Sequence, residues 1–242
     1  MSKRLLTCTA LMSDNGHMQK QTVQAILFDL DGTLVDTIED ITDALNRALG
    51  LEGLPLLDVS MTKKVVGRGL RNALIGAVEL FGEPFSSDHI DRMYDSMMAF
   101  YRKNHCVKSF AYEGILPLLE ELDGKDIPLA VFSNKEDGLT KDVVRTLFPN
   151  IRFAWVRGMR SDFPRKPDTA GLRHFAKKLG LAVENLLYVG DSEVDYQTAV
   201  NAGCQHILVS WGFRPREELM LLKGSTVVDS VEELQEAIND LQ

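Results

Sequence analysis

The sequence predicts an α/β fold, a doubly wound parallel sheet carrying an inserted helical block. Three observations carry this. Short apolar runs at 23–28, 128–132, 151–156, 186–189 and 206–209 have the length and continuity of strands buried on both faces. Segments with helical spacing separate the later runs, the alternation that produces βαβ units. The first run is instead followed by a long stretch, 37–110, of helical patterning with no strong strand.

The elements follow in order. The strand at 23–28 ends in the turn Asp29-Leu30-Asp31-Gly32. Ile38, Ile41, Leu45 and Leu49 form a helical stripe over 37–49, broken by Gly50 to Pro55. The spacing predicts helices over 70–81 and 90–101, with Met93, Met97 and Met98 in the core of the insert. A helix over 115–122 leads to the strand 128–132. A helix over 139–148, a strand at 151–156, a helix over 168–180, a strand at 186–189, a helix over 193–202 and a strand at 206–209 follow. A strand at 226–228 and a helix at 231–241 close the pattern. The expected division is a polar extension at 1–21, an α/β core from 22–36 and 111–242, and a helical insert at 37–110.

Composition narrows the function. The 242 residues suit one large domain, or one with a small insert, and bury enough surface to fold without a metal or disulfide staple. Hydrophobic residues at 45% and charged residues at 26% exclude a disordered tail, a collagen-like repeat and a coiled coil. With 27 basic and 35 acidic residues the net charge is −8, which disfavours a nucleic-acid binder. Small anionic ligands held by local cations stay open. Cys8, Cys106 and Cys204 lack zinc-ligand spacing and read as reduced thiols. No apolar run is long enough to span a membrane. Thr7 and Thr9 interrupt the apolar stretch behind the basic tip, so a cytoplasmic protein is expected.

Ligands of such sheets sit beyond the carboxyl ends of the strands. Four polar clusters fall there: Asp29-Leu30-Asp31-Gly32-Thr33, Ser133-Asn134-Lys135, Lys166-Pro167-Asp168 and Gly190-Asp191 with Asp195. Singly, each reads as well as a turn or a helix cap. Together they put Asp29, Asp31 and Asp191 on one edge, where crowded carboxylates repel unless a cation joins them. With no His or Cys among them, the donors suit a hard divalent ion, magnesium above others. Lys166 suits a phosphate as a point charge and Ser133 as a hydroxyl. Such a set describes phosphoryl transfer.

The run Phe28-Asp29-Leu30-Asp31-Gly32-Thr33-Leu34-Val35-Asp36-Thr37, then Ser133, Lys166-Pro167 and Gly190-Asp191 with Asp195, resembles the haloacid dehalogenase superfamily. The insert resembles that family's small helical cap. The wording of the first motif, Ser133-Asn134-Lys135, and Val209 to Gly212 look most like its phosphoglycolate phosphatase branch. The resemblance implies a magnesium-dependent phosphomonoester hydrolase. Asp29 would be the nucleophile that forms an aspartyl-phosphate. Asp31 would be the acid and then the base; an acid at this position argues for phosphate esters rather than halides. Mg2+ would bind the Asp29 carboxylate, the Asp31 carbonyl and Asp191. Ser133 and the Asn134 amide would hold phosphate oxygens, and Lys166 would pair with Asp29 and the phosphate. Asp195 would orient the site or hold a water on the metal.

Other residues weigh less. His105-Cys106 reads as packing or surface, since no positioned base accompanies the thiol. Trp211-Gly212-Phe213 reads as a site rim or as a packed turn. Arg68, between Gly67 and Gly69, either grips a carboxylate of the substrate or is a solvated charge at a helix start. A small phosphorylated metabolite such as 2-phosphoglycolate is the expected partner, without nucleic acid or membrane, the protein being a monomer or homodimer. A phosphosugar mutase, a pyrophosphatase and a non-catalytic binding protein are the alternatives.

Overall fold

The computed structural model describes residues 22–82 and 85–242; the expectations for 1–21, Cys8 among them, lie outside the described residues. Strand β1, Ala25–Phe28, is buried on both faces. A tight turn leads to β2, Val35–Asp36. The chain then enters the helices α1, Ile38–Leu51; α2, Val59–Val65; α3, Leu70–Glu79; and α4, Ser87–Asn104. It returns through β3, Phe110–Ala111, and α5, Ile115–Gly124. Alternation follows: β4, Leu129–Glu136; α6, Asp137–Leu147; β5, Phe153–Met159; α7, Ala170–Leu179; β6, Leu186–Gly190; α8, Glu193–Ala202; β7, Gln205–Val209. The short helix α9, Arg216–Met220, the strand β8, Thr226–Val228, and α10, Val231–Leu241, complete it.

The main sheet runs β5-β4-β1-β6-β7-β8, with every pair parallel. The strand order turns outward on both sides of β1, so the crevice beyond β1, β4 and β6 is the topological switch point where such sheets bind ligands. Apolar clusters cover both sheet faces. A third fills the insert, built on Leu45, Leu49, Leu74, Met93, Met97 and Met98, and takes in Leu139 and Phe213 from the sheet side. The methionines of α4 are therefore packing.

Several elements differ from the sequence reading. β4 runs on to Glu136, so Ser133, Asn134 and Lys135 lie within the strand rather than past its end. The register with β5 shifts between Phe132 and Glu136, and Ser133, Asn134 and Lys135 all line the cavity beyond the sheet. α2 falls inside the stretch expected to be helical, but it and α9 have too few residues for periodicity to mark them as separate helices. The crossings into and out of the insert pair as a two-stranded antiparallel sheet, Val35 opposite Ala111 and Asp36 opposite Phe110. Asp40 fastens the same neck by accepting bonds from the backbone of Val107, Lys108 and Ser109 and the Ser109 hydroxyl. Cys106 and Cys204 are free thiols, and burial pushes both up, away from reactivity.

Candidate active site

Asp29 is the first residue beyond β1, held there by its own N–H donating to Val189 of β6 at 2.8 Å. Its Oδ1 accepts from the Leu30 N–H at 2.7 Å and pairs with Lys166 Nζ at 2.9 Å. Oδ2 is left as the oxygen that no hydrogen-bond donor holds among the described residues. Burial pushes this carboxyl up to about 7, against the pull of Lys166 and with the push of Asp195 and Asp31.

The chain then bends back on itself: Gly32 N–H donates to the Val35 carbonyl, and Leu34 and Val35 N–H to Leu30. Gly32 makes the bend at φ +85°, and a Cβ there would lie 2.3 Å from Asp191 Oδ2. Only glycine combines that backbone with that approach. The bend aims Asp31 at the same crevice. Its Oδ1 accepts from Thr37 Oγ1 at 2.7 Å and from Lys135 Nζ at 2.8 Å.

Asp191, the first residue beyond β6, is buried; its Oδ2 accepts from the Phe213 N–H at 2.7 Å and Oδ1 from the Thr33 hydroxyl at 3.3 Å. Burial pushes its carboxyl well up, with Asp195 and Asp29 adding to it. Asp195 closes a capping box with Ser192 at the start of α8. Its Oδ1 takes Lys166 Nζ at 2.7 Å and the Tyr188 hydroxyl at 3.2 Å; its Oδ2 takes Ser192 Oγ at 2.6 Å. Lys166 is buried between Asp29 and Asp195; burial opposes its charge, yet the two carboxylates outweigh that and hold it protonated.

Oxygens of Asp29, Asp191 and Asp195 lie within 4.8 Å of one another. Three buried carboxylates face one buried ammonium, a deficit of positive charge that a divalent cation would meet. The donors are all hard oxygens, and no His or Cys belongs to the group. Each oxygen of Asp195 accepts at least two donors, whereas each oxygen of Asp191 accepts one and Asp29 Oδ2 has none among the described residues, so Asp29 and Asp191 are the carboxylates with capacity to spare.

Ser133 is buried in β4, and its Oγ accepts from the Lys135 N–H. Asn134 spends its side chain on structure. Its Oδ1 accepts from Lys166 N–H at 2.9 Å, and its Nδ2 donates to the carbonyls of Lys166 and Gly67. It positions the lysine loop and one edge of the insert.

Arg68 is not brought to the cavity. Gly67 at φ +115° and Gly69 at φ +86° turn the backbone inward there, and the arginine between them faces out. Its side chain is 68% exposed and lies 3.7 Å from Glu193. The backbone of Gly67 and Gly69 lines the cavity instead, with Ile41, Val66, Leu70, Ala73 and Phe213 as its apolar wall.

Two cations to which the sequence pattern assigns no role line that cavity, Lys135 and Arg214. Lys135 directly follows Ser133 and Asn134 in the polar cluster after the 128–132 run, and that adjacency is the readable signal. Arg214 donates to the carbonyls of Lys63 and Val66 at 2.6 and 2.9 Å and pairs with Glu193 at 3.0 Å. Nothing local in the sequence marks it, because its partners lie far off in the chain, in the insert and at the start of α8. Trp211 donates Nε1–H to the Thr33 carbonyl at 3.1 Å, and Phe213 walls the cavity, so the 211–213 turn is both packed and part of the rim.

A family model described as haloacid dehalogenase-like hydrolase matches residues 26–209. A phosphoglycolate phosphatase of Rhodospirillum rubrum is 33% identical over 210 residues, covering 85% of this chain and 87% of its own. Another, of Chromobacterium violaceum, is 29% identical over 224 residues, covering 92% and 100%. A crystal structure from Lactobacillus delbrueckii subsp. bulgaricus, provisionally named a phosphoglycolate phosphatase, superposes with a TM-score of 0.84 at 31% identity, covering 90% of this chain and 98% of that one.

Proposed function

The chain belongs to the haloacid dehalogenase-like hydrolase family and is a phosphatase of its phosphoglycolate phosphatase-like branch; from that premise we propose that it hydrolyses a small phosphomonoester, 2-phosphoglycolate foremost, through an aspartyl-phosphate on Asp29 with Mg2+ bound. The observation that supports this most is the division of labour on Asp29. Leu30 N–H and Lys166 hold Oδ1, which leaves Oδ2 as the attacking oxygen.

Attack by Oδ2 forms the Asp29–phosphorus bond and breaks the bond from phosphorus to the alcohol oxygen. Asp31 gives that oxygen its proton. A water then attacks the phosphorus and loses a proton to Asp31, which releases phosphate and restores Asp29. Lys166 and Ser133 offset the charge of the phosphoryl oxygens. Mg2+, held by the Asp29 and Asp191 carboxylates and the Asp31 carbonyl, would screen repulsion between Asp29 and the incoming phosphate. Asp195 holds Lys166 and the loop at Asp191 in place. On this reading residues 37–110 are a cap over a core of 22–36 and 111–242, and the cap excludes water from the crevice.

Arg214 brings a cationic side chain to the cavity beside its apolar wall of Ile41, Val66, Leu70, Ala73 and Phe213, across from the carboxylate edge. That suits a short substrate with a second negative charge. A phosphate-release screen over small phosphomonoesters, pyrophosphate and sugar phosphates with Mg2+ tests the assignment. The expected result is the highest kcat/KM on 2-phosphoglycolate. Preference for pyrophosphate, or return of phosphate to a sugar in place of release to water, would replace it with the pyrophosphatase or mutase reading.

A further inference from the structure

The buried ammonium of Lys135 has two partners, one from each half of the molecule. On the sheet side it donates to Asp31 Oδ1 at 2.8 Å. On the insert side it donates to the Tyr101 hydroxyl of α4 at 2.7 Å, with the ring centroid 5.0 Å away. The Lys135 side chain is 1% exposed, and Tyr101 is fully buried. A lysine charge in such a place is costly unless its hydrogens are met. Neither partner alone meets them. Tyr101 stands one helical turn beyond Met97 and Met98, so the packed core of the insert sets its place.

The consequence falls on Asp31. Thr37 and Lys135 both donate to its Oδ1, so the proton the carboxyl carries belongs on Oδ2. Which oxygen bears the proton, and where it points, decides whether transfer to a departing alkoxide is in line. We propose that Tyr101 and Lys135 are positioning residues that orient Asp31 for proton transfer, so that the seated insert completes the acid as well as closing the cavity. This rests on the reading of Asp31 as the acid. The step is balanced: as the bond from phosphorus to the alcohol oxygen breaks, the electron pair stays on that oxygen and Asp31 Oδ2 supplies its proton.

The test is leaving-group dependence. An alkyl oxygen needs its proton at departure, whereas p-nitrophenolate leaves without one. The experiment measures kcat and KM for 2-phosphoglycolate, ethyl phosphate and p-nitrophenyl phosphate with Mg2+, in the unmodified chain and in Tyr101→Phe, Lys135→Met and Asp31→Asn. The expected result is a fall in kcat/KM, which reports only the half-reaction up to departure of the alcohol and not the later attack of water, on both alkyl esters: about a hundredfold for Lys135→Met, the low end of what a general acid contributes, and about tenfold, a partial loss, for Tyr101→Phe. The fall on the aryl ester should be at least several-fold smaller. Tyr101→Phe keeps the ring and its packing, so it serves as the test if Lys135→Met does not fold. Equal losses on all three esters, or no loss, overturn the proposal. So does a rise in KM confined to 2-phosphoglycolate, which would make Lys135 a carboxylate-binding residue. Asp31→Asn separates the two readings. If it lacks the alkyl-selective loss, Asp31 is not the acid and the proposed function itself fails. If it has that loss and the other two variants do not, only the present inference fails.

Discussion

The sheet edge and the seam with the insert are built on opposite principles. At the edge, Asp29, Asp191 and the Ser133–Lys135 segment sit at the ends of three neighbouring strands, β1, β6 and β4. Backbone ladders fix them, and the side chains are charged, buried and mutually repelling. At the seam, side chains meet backbone carbonyls: Arg214 to Lys63 and Val66, Lys63 to Gly212 at 3.2 Å, and Asn134 to Gly67 at 3.2 Å. The bonds from the charged Arg214 and Lys63 are each worth about 1.5–3 kcal/mol net, and the one from Asn134 about 1 kcal/mol. The sheet thus places its groups through the backbone, whereas the insert is placed against it by side chains that reach across. Phe213 and Arg214 join the two regimes, since one residue bonds Asp191 and the next bonds the insert.

The comparison breaks most sharply at Asp29. Asp29→Asn should abolish turnover, with steady-state kcat reduced by more than about a thousandfold and circular dichroism unchanged. Residual activity above that level would mean that the sheet edge does not supply the nucleophile. Removing divalent ions should be nearly as severe. Phosphate release should vanish in excess chelator and return with Mg2+, and Ca2+ should not replace it, because calcium takes more oxygen ligands at longer distances.

The charge deficit at the edge also sets a pH dependence in chelated protein. The Asp29 carboxyl sits near 3.8 when unfolded and is pushed up to about 7 by burial in the fold. Between those values the folded state binds more protons than the unfolded one, so stability falls as pH rises through this window. Thermal melts in chelator should show Tm falling across that range. Asp29→Asn should flatten the fall, and at pH 7 it should melt higher than the unmodified chain. A Tm that rises over the same range would contradict the account.

At the seam the effects are smaller. Arg214→Ala should raise KM about tenfold or less and speed proteolysis of the 63–69 segment, since it removes two bonds to that backbone. Arg68→Ala should change kcat/KM by less than about twofold on any ester, because an exposed pair such as Arg68–Glu193 contributes little. A large loss selective for 2-phosphoglycolate in Arg68→Ala would move the specificity determinant back to the residue that the Gly67–Gly69 turn points outward.

Much of the edge is legible in the amino-acid order alone. Asp29 and Asp31 follow an apolar run, and Asp191 follows another. Strand ends in a doubly wound sheet converge, so local pattern and topology suffice to bring them together. The helices expected over 70–81 and 90–101, and found over 70–79 and 87–104, are legible because their stripes are long; α2 and α9 are not legible as separate helices, since five to seven residues hold too little period. Arg68 has the look of a specificity cation because it is flanked by glycines. Those same glycines send the backbone, not the side chain, into the cavity.

By itself the sequence determined the fold class, the helical block after the first strand, and the carboxylates and lysine of the sheet edge. These depend on periodicity and chain order, which are local. Only the tertiary structure decided that Lys135 reaches across to Asp31 and Tyr101, that Arg214 rather than Arg68 lines the cavity, and that Asn134 is committed to holding Lys166. Residues 31, 101 and 135 share no element and no spacing rule. Their meeting depends on how the insert core seats against the sheet, a packing outcome to which side chains far apart in the chain contribute together.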